Sequence, residues 1–232
     1  MAKKGRLIAI CGIDGSGKTV QSALLAERAQ ASGWRVETIG FPRYTEGLFG
    51  ELVARYLRGE FASTAQEVSP YLAALPFACD RWQAGPQLRS WLADEAAVIC
   101  NRYVSANMAH QGAKIRDRAE RRHFLDWVAE LEYGVFDLPR PDLHVLLDVT
   151  PAVSARLVAG KGKRAYLKEG RDIHESDAAY LKDTWELYDE LAESASDWVR
   201  IKCAPGGDLL GPEQIAEEVW RAARPVLEGG AR

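Results

Sequence analysis

Gly12-Ile13-Asp14-Gly15-Ser16-Gly17-Lys18-Thr19 stands directly after the apolar run Leu7–Cys11 and opens a stretch, Lys18–Ser32, that reads as helix. The octet fits the spacing G-x-x-x-x-G-K-[ST] in the context that this spacing demands, a strand before and a helix after. Its glycines permit a tight loop whose N–H groups surround phosphate oxygens at a helix N-terminus. Lys18 adds a point charge at the β and γ oxygens, and the Thr19 hydroxyl suits Mg2+. All eight residues are therefore expected around a nucleoside triphosphate.

Outward from this loop, strand-like runs rich in Val, Ile and Leu recur at Val36–Ile39, Ala97–Cys100, Leu143–Leu147 and Trp198–Lys202, each separated from the last by enough chain for helix. That alternation predicts βαβ units on a parallel sheet. The nearly continuous apolar run around Val145–Leu147 implies burial on both faces, hence helices above and below. The expected fold is α/β, a three-layer α/β/α arrangement around a five-stranded parallel sheet. Helices are predicted over Lys18–Ser32, Leu48–Arg58, Pro70–Leu92, Asp117–Tyr133, Pro151–Ala159, Glu175–Ala195 and Pro212–Leu227, with a kink at Pro76. One domain, residues 1–232, is expected, with a basic lid-like segment over about 160–173.

Composition removes several function classes. With 47% hydrophobic and 27% charged residues in 232, the chain has apolar surface enough for a full core, which rules out disorder. A net charge of −3 provides no basic field to hold a nucleic-acid polymer or an anionic membrane. The longest nearly apolar run, Tyr71–Cys79, is far short of the roughly 18 residues of a membrane span. The opening Met1-Ala2-Lys3-Lys4 moves straight into a strand, which predicts no export signal and a cytoplasmic protein. Cys11, Cys79, Cys100 and Cys203 form no C-x-x-C pair and read as reduced thiols among apolar neighbours.

The fate of the γ-phosphate separates switch GTPases, motor ATPases and kinases of small acceptors. The guanine-selecting N-K-x-D pattern is missing, because the only asparagines, Asn101 and Asn107, are followed by Arg and Met. Two arginines, Arg43 in Phe41-Pro42-Arg43-Tyr44 and Arg102 in Asn101-Arg102-Tyr103, fall just past strand ends, where a doubly wound sheet opens its ligand crevice. Their planar forks suit a second phosphate, so the acceptor is expected to carry one. An acceptor already ionised needs no general base; cations and positioning carry the reaction. The cluster Lys161-Gly162-Lys163-Arg164 could close over the phosphates.

At this point the chain resembles the thymidylate kinase family, which passes phosphate from ATP to dTMP. GIDGSGKT, FPRY, FACDRW, NRYVSANMAHQG and PDLHVLLDVTP followed by a basic segment ending in RDIHE occur in the family's order. The resemblance implies the family's five-stranded kinase fold, a two-fold homodimer, ATP and dTMP as partners, and Mg2+ as cofactor. It also implies individual roles. Asp14 lies by the acceptor sugar and the metal, Arg43 and Arg102 hold the dTMP phosphate, and Phe77 with Arg81 stacks on thymine and donates to its O4. Asn107 faces the thymine edge and Gln111 follows in the acceptor segment, while Asp172 and Glu175 lie near the metal and the moving phosphoryl group. The metal set is thus Thr19, Asp14 and Glu175. His110 and His174 occupy places where relatives often carry an aromatic residue by the sugar.

Three positions depart from the family pattern. Asn101 replaces the Asp of D-R-Y, Ala106 replaces a common Ser, and Gly15 stands where one branch carries a catalytic Arg. The catalytic cations are therefore expected to be Lys18, Arg102 and, from the lid, Arg164 and Arg171, with Lys161 and Lys163 behind them. The alternatives are a kinase of another pyrimidine nucleotide, such as dUMP or dCMP, or of a nucleoside, and a degraded ATP-binding regulatory protein. Arg81 bears on the first, since a guanidinium donates to O4 of thymine or uracil but meets a second donor on cytosine.

Overall fold

Alternation along the central strands sets the layers. In β1 (Arg6–Cys11), Leu7, Ala9 and Cys11 point into one apolar cluster and Ile8 and Ile10 into another. The computed structural model describes residues 5–62, 64–159 and 178–229. Its sheet also contains β2 (Val36–Gly40), β3 (Ala97–Asn101), β4 (Leu143–Asp148) and β5 (Trp198–Lys202), in the order β2-β3-β1-β4-β5 with every pair parallel.

One face is covered by α1 (Lys18–Ala31), through Leu25 and Ala29, and by the last helix of the chain, Pro212–Leu227, through Ile215, Val219 and Ala223. The other is covered by the helices Pro70–Ala93, Val104–Gly112, Arg118–Ala129 and Ala178–Ser194, through Leu88, Ala109, Phe124 and Tyr188. With α2 (Gly47–Leu57) and the helix Pro151–Ala159, chain order makes these α3, α4, α5, α6 (Pro151–Ala159), α7 and α8. Burying both faces of the inner strands between these helices makes a three-layer α/β/α sandwich, as expected. None of the helices among the described residues is long and apolar enough to cross a membrane.

Elements differ from expectation in instructive ways. The helix expected over Asp117–Tyr133 is α5 only to Ala129, and continues as a wider π-helical turn over Glu130–Val135. Asp117 is its cap, with Oδ1 accepting from the Glu120 N–H at 2.8 Å. α4 was not expected at all. It is short, starts at a β-branched residue, and is buried on nearly every side from Val104 to Gly112, so it has no amphipathic period to read. α3 runs through Pro76 and Pro86 as a single element. The beginning of the helix expected at Glu175, and the segment 160–173, lie outside the described residues.

Chain order creates the site. After β1 the chain crosses to β2 and returns as β3 on one side of β1, then crosses to β4 on the other. Beyond the carboxyl end of β1 the crossovers therefore diverge, and the loop Gly12–Thr19 lies in that gap.

Candidate active site

The phosphate loop needs its glycines. Gly12, Gly15 and Gly17 have φ of 135°, 79° and 89°, and a side chain at Gly12 would meet the Leu147 carbonyl at 2.8 Å. Gly17 caps α1, so the first free N–H groups of that helix face the loop interior. Lys18 is buried and its Nζ crosses the loop to donate to the Ile13 carbonyl at 2.7 Å. The Ser154 hydroxyl on α6 donates to the Asp14 carbonyl, tying the loop to the helix that follows β4.

From this loop a cavity of about 370 Å³ runs past the ends of β2 and β3 to the inner faces of α3 and α4. Asp14, Gly15, Gly17, Lys18 and Thr19 line one end; Phe77, Arg81, Ala106, Asn107 and Gln111 line the other; Asn101, Arg102 and His110 lie among the lining residues too. Gly12, Ile13 and Ser16 are not part of its wall.

Arg102 sits in the left-handed region, φ 69°, at the end of β3. This unusual conformation for a side-chain-bearing residue is a local strain of the kind that accumulates at working sites. Its Nη2 is 2.5 Å from Asp14 Oδ1, and its Nη1 is 3.1 Å from His110 Nε2. Burial, with the Arg102 charge second, pushes His110 down to about 3, so the ring is neutral near pH 7. A neutral imidazole accepts from Arg102 without competing with its charge. The Tyr180 hydroxyl on α7 donates to the His110 backbone carbonyl at 2.7 Å and lies 3.4 Å from the ring's Nδ1.

Arg43 is placed differently from its expected partner role. It is not among the cavity-lining residues; Nε donates to Asp80 Oδ1 at 3.0 Å and Nη2 to the Asp80 carbonyl at 2.8 Å. Asp80 Oδ2 also accepts the Arg43 N–H at 2.9 Å, so this fully buried acid holds the whole Phe41–Tyr44 turn against α3. Phe41, Pro42 and Tyr44 from that turn do line the cavity. Sequence reasoning assigns Asp80 no role, and its place between Cys79 and Arg81 on a helix with an apolar stretch is the available signal.

Arg81 is 2% exposed and forked onto Glu132, with Nε at 2.5 Å from Oε2 and Nη2 at 2.7 Å from Oε1. Asn107 Nδ2 donates to Glu132 Oε1 at 2.9 Å and to the Ala74 carbonyl at 3.1 Å. Asn107 Oδ1 and Gln111 Oε1 are buried without a hydrogen-bond partner. Sequence reasoning missed Glu132. The signal was an acid four residues after the buried Val128, on a helical face that ought to be apolar.

At the phosphate-loop end, Thr19 Oγ1 accepts from Asn101 Nδ2 at 3.2 Å, which leaves one lone pair on a residue that lines the cavity. Asp14 Oδ1 is engaged by Arg102. Among the described residues no cluster of three or more His, Cys, Asp or Glu could hold a metal by itself. A hydroxyl and one carboxylate do fit Mg2+ that arrives on phosphate oxygens and keeps its waters. Glu175, Arg164, Arg171 and Asp172, with Lys161, Lys163 and His174, lie outside the described residues.

A phosphate loop at the switch point of a parallel sheet, opening onto a cleft lined by Arg81 and Arg102, defines a P-loop kinase of small acceptors. The model of the family described as thymidylate kinase matches residues 10–206, and the chain belongs to that family. It is 34% identical over 203 residues to a thymidylate kinase of Mycobacterium tuberculosis strain H37Rv, covering 88% of this chain and 92% of that one. A human thymidylate kinase is 32% identical over 156 residues, 67% of this chain and 66% of its own. The solved thymidylate kinase of Candida albicans superposes with a TM-score of 0.72 over 97% of this chain and 94% of that one; at 20% identity that likeness speaks for the fold.

Proposed function

We infer that the protein transfers the γ-phosphoryl group of ATP to the phosphate of dTMP, giving dTDP. The observation that carries this is the continuity of one cavity from Lys18, through the Asp14–Arg102 pair, to the Arg81–Asn107 wall. A donor triphosphate fits the first, an acceptor phosphate the second, and a base the third. The acceptor phosphate is ionised at neutral pH, so no proton needs removing; the obstacle is repulsion between the two phosphates. Lys18 and Arg102 offset it, and Phe77 supplies a flat apolar face for the base. Thr19 and Asp14 would hold Mg2+ when it is bound, and the ion would supply positive charge against the phosphates. Arg43 we assign to the acceptor phosphate through its turn, with Asp80 holding it ready.

Gly15 provides no cation, and we assign that task to Arg164 and Arg171 of the basic segment, with Glu175 near the metal. We also propose a homodimer in the cytoplasm. Leu48 and Leu52, one turn apart on α2, and Leu72 on the adjoining α3 are 80%, 38% and 65% exposed, a surface that a second copy would cover. The free thiols Cys11, Cys79, Cys100 and Cys203 fit a reducing compartment. Thymine and uracil share the O4 and N3–H edge, so dUMP remains the nearest competitor, separated by one methyl worth about 1–3 kcal/mol. The test is ADP release with ATP and, in turn, dTMP, dUMP, dCMP and thymidine. Turnover highest with dTMP supports the reading; turnover highest with dCMP or thymidine, or none with any of the four, overturns it.

A further inference from the structure

Glu132 is completely buried in the π-helical turn Glu130–Val135, a widened turn of a kind often found at functional sites. Its carboxylate accepts three hydrogen bonds, two from Arg81 and one from Asn107. A buried ion pair is a weak source of stability compared with apolar side chains of the same size, so the consequence worth following is orientation.

A carboxylate only accepts. Asn107 lies between two pure acceptors, Glu132 Oε1 and the Ala74 carbonyl, so its Nδ2 must face both and its Oδ1 must face away. That Oδ1 is buried without a partner, on a residue that lines the cavity. Arg81 commits Nε and Nη2 to the same carboxylate, which leaves its Nη1 end for the cavity it lines. One acid therefore sets both polarities, a donor at Arg81 and an acceptor at Asn107. A 4-oxo pyrimidine presents the complement, an acceptor O4 beside a donor N3–H. A 4-amino pyrimidine presents the reverse at both atoms.

We propose that Glu132 is a positioning residue that sets the donor and acceptor polarity of the base-reading wall, and thereby the choice of 4-oxo over 4-amino pyrimidine monophosphates. This rests on the reading that Arg81 and Asn107 face the base. Glu132→Gln keeps the shape but offers one acceptor and one donor, so Arg81 loses half its fork in either amide orientation, and Asn107 must also turn its amide over when the NH2 takes the Oε1 position. Glu132→Asp keeps the charge but is one methylene short of spanning both partners.

The experiment measures kcat/KM for dTMP, dUMP and dCMP, together with the KM for ATP, in wild type, Glu132→Gln, Glu132→Asp, Arg81→Met and Asn107→Ala. Glu132→Gln is expected to lower kcat/KM for dTMP and dUMP by about 10–100-fold, to leave dCMP level or raise it, and to keep the ATP KM within about twofold. Glu132→Asp should give an intermediate ratio, and it carries the test if the uncompensated Arg81 charge prevents Glu132→Gln from folding. Equal losses for all three nucleotides in the folded Glu132 variants, or an unchanged ratio, overturn the proposal. If Arg81→Met and Asn107→Ala shift the ratio while the Glu132 variants do not, the wall reads the base and Glu132 does not set it. If none of the four shifts it, the wall itself does not read the base.

Discussion

Lys18 and His110 show how burial shapes the chemistry of single residues. Lys18 is expected at the oxygens whose charge grows as the donor bond loosens, so Lys18→Ala should cost at least about 3 kcal/mol of transition-state stabilisation, more than a hundredfold in kcat. Steady-state turnover of the folded variant checks it, and near-normal turnover would remove the phosphate loop from the mechanism. His110 is held neutral, with its folded value near 3 against an ordinary 6.5. The unfolded chain takes up that proton between pH 6.5 and 3 and the folded chain does not, so this residue's contribution to stability is full above about 6.5 and is lost as pH falls toward 3. Melting temperatures from pH 7.5 to 4.5 should therefore fall more steeply in wild type than in His110→Gln. Parallel curves would mean that the ring charges freely in the fold. Arg102 gains from the same neutrality, since a charged imidazole at 3.1 Å would repel its guanidinium.

At the scale of elements, the cavity wall formed by Phe41, Pro42 and Tyr44 depends on how closely α2 approaches the turn after β2. A side chain at Gly50 would lie 1.9 Å from the Arg43 carbonyl, a backbone atom with little room to yield. Gly50→Ala should destabilise the fold by about 1–3 kcal/mol and displace the Phe41–Tyr44 turn. Because that turn lines the cavity on the side proposed for the acceptor, the KM for dTMP should rise several-fold while the KM for ATP stays level. Urea unfolding and two-substrate kinetics test the two parts, and equal rises in both KM values would place the damage elsewhere. The π-helical turn after α5 makes a similar point. Had α5 continued as an ordinary helix, Glu132 would not be aimed as it is at Arg81 and Asn107 across the space between α3 and α4.

For the whole molecule, the exposed leucines of α2 and α3 predict self-association. Leu48→Asp combined with Leu72→Asp should shift the sedimentation coefficient from dimer to monomer, with the melting temperature becoming independent of protein concentration. A wild-type monomer at micromolar concentration would remove the homodimer from the proposal. The sheet and the phosphate loop were legible in the residue order because they rest on local signals: strand runs of apolar residues, the period of the flanking helices, and glycines at positions of positive φ. The ordered family motifs likewise marked Phe77, Arg81, Arg102, Asn107 and Gln111, which line one cavity. What the linear order could not express is pairing between residues far apart in the chain. That Arg43 would be held by Asp80, that Arg81 would be forked on Glu132, and that α4 would form while buried on nearly every side all follow from packing. A buried charge must find a partner wherever the fold brings one within reach, and that partner is decided by tertiary geometry rather than by neighbours in sequence.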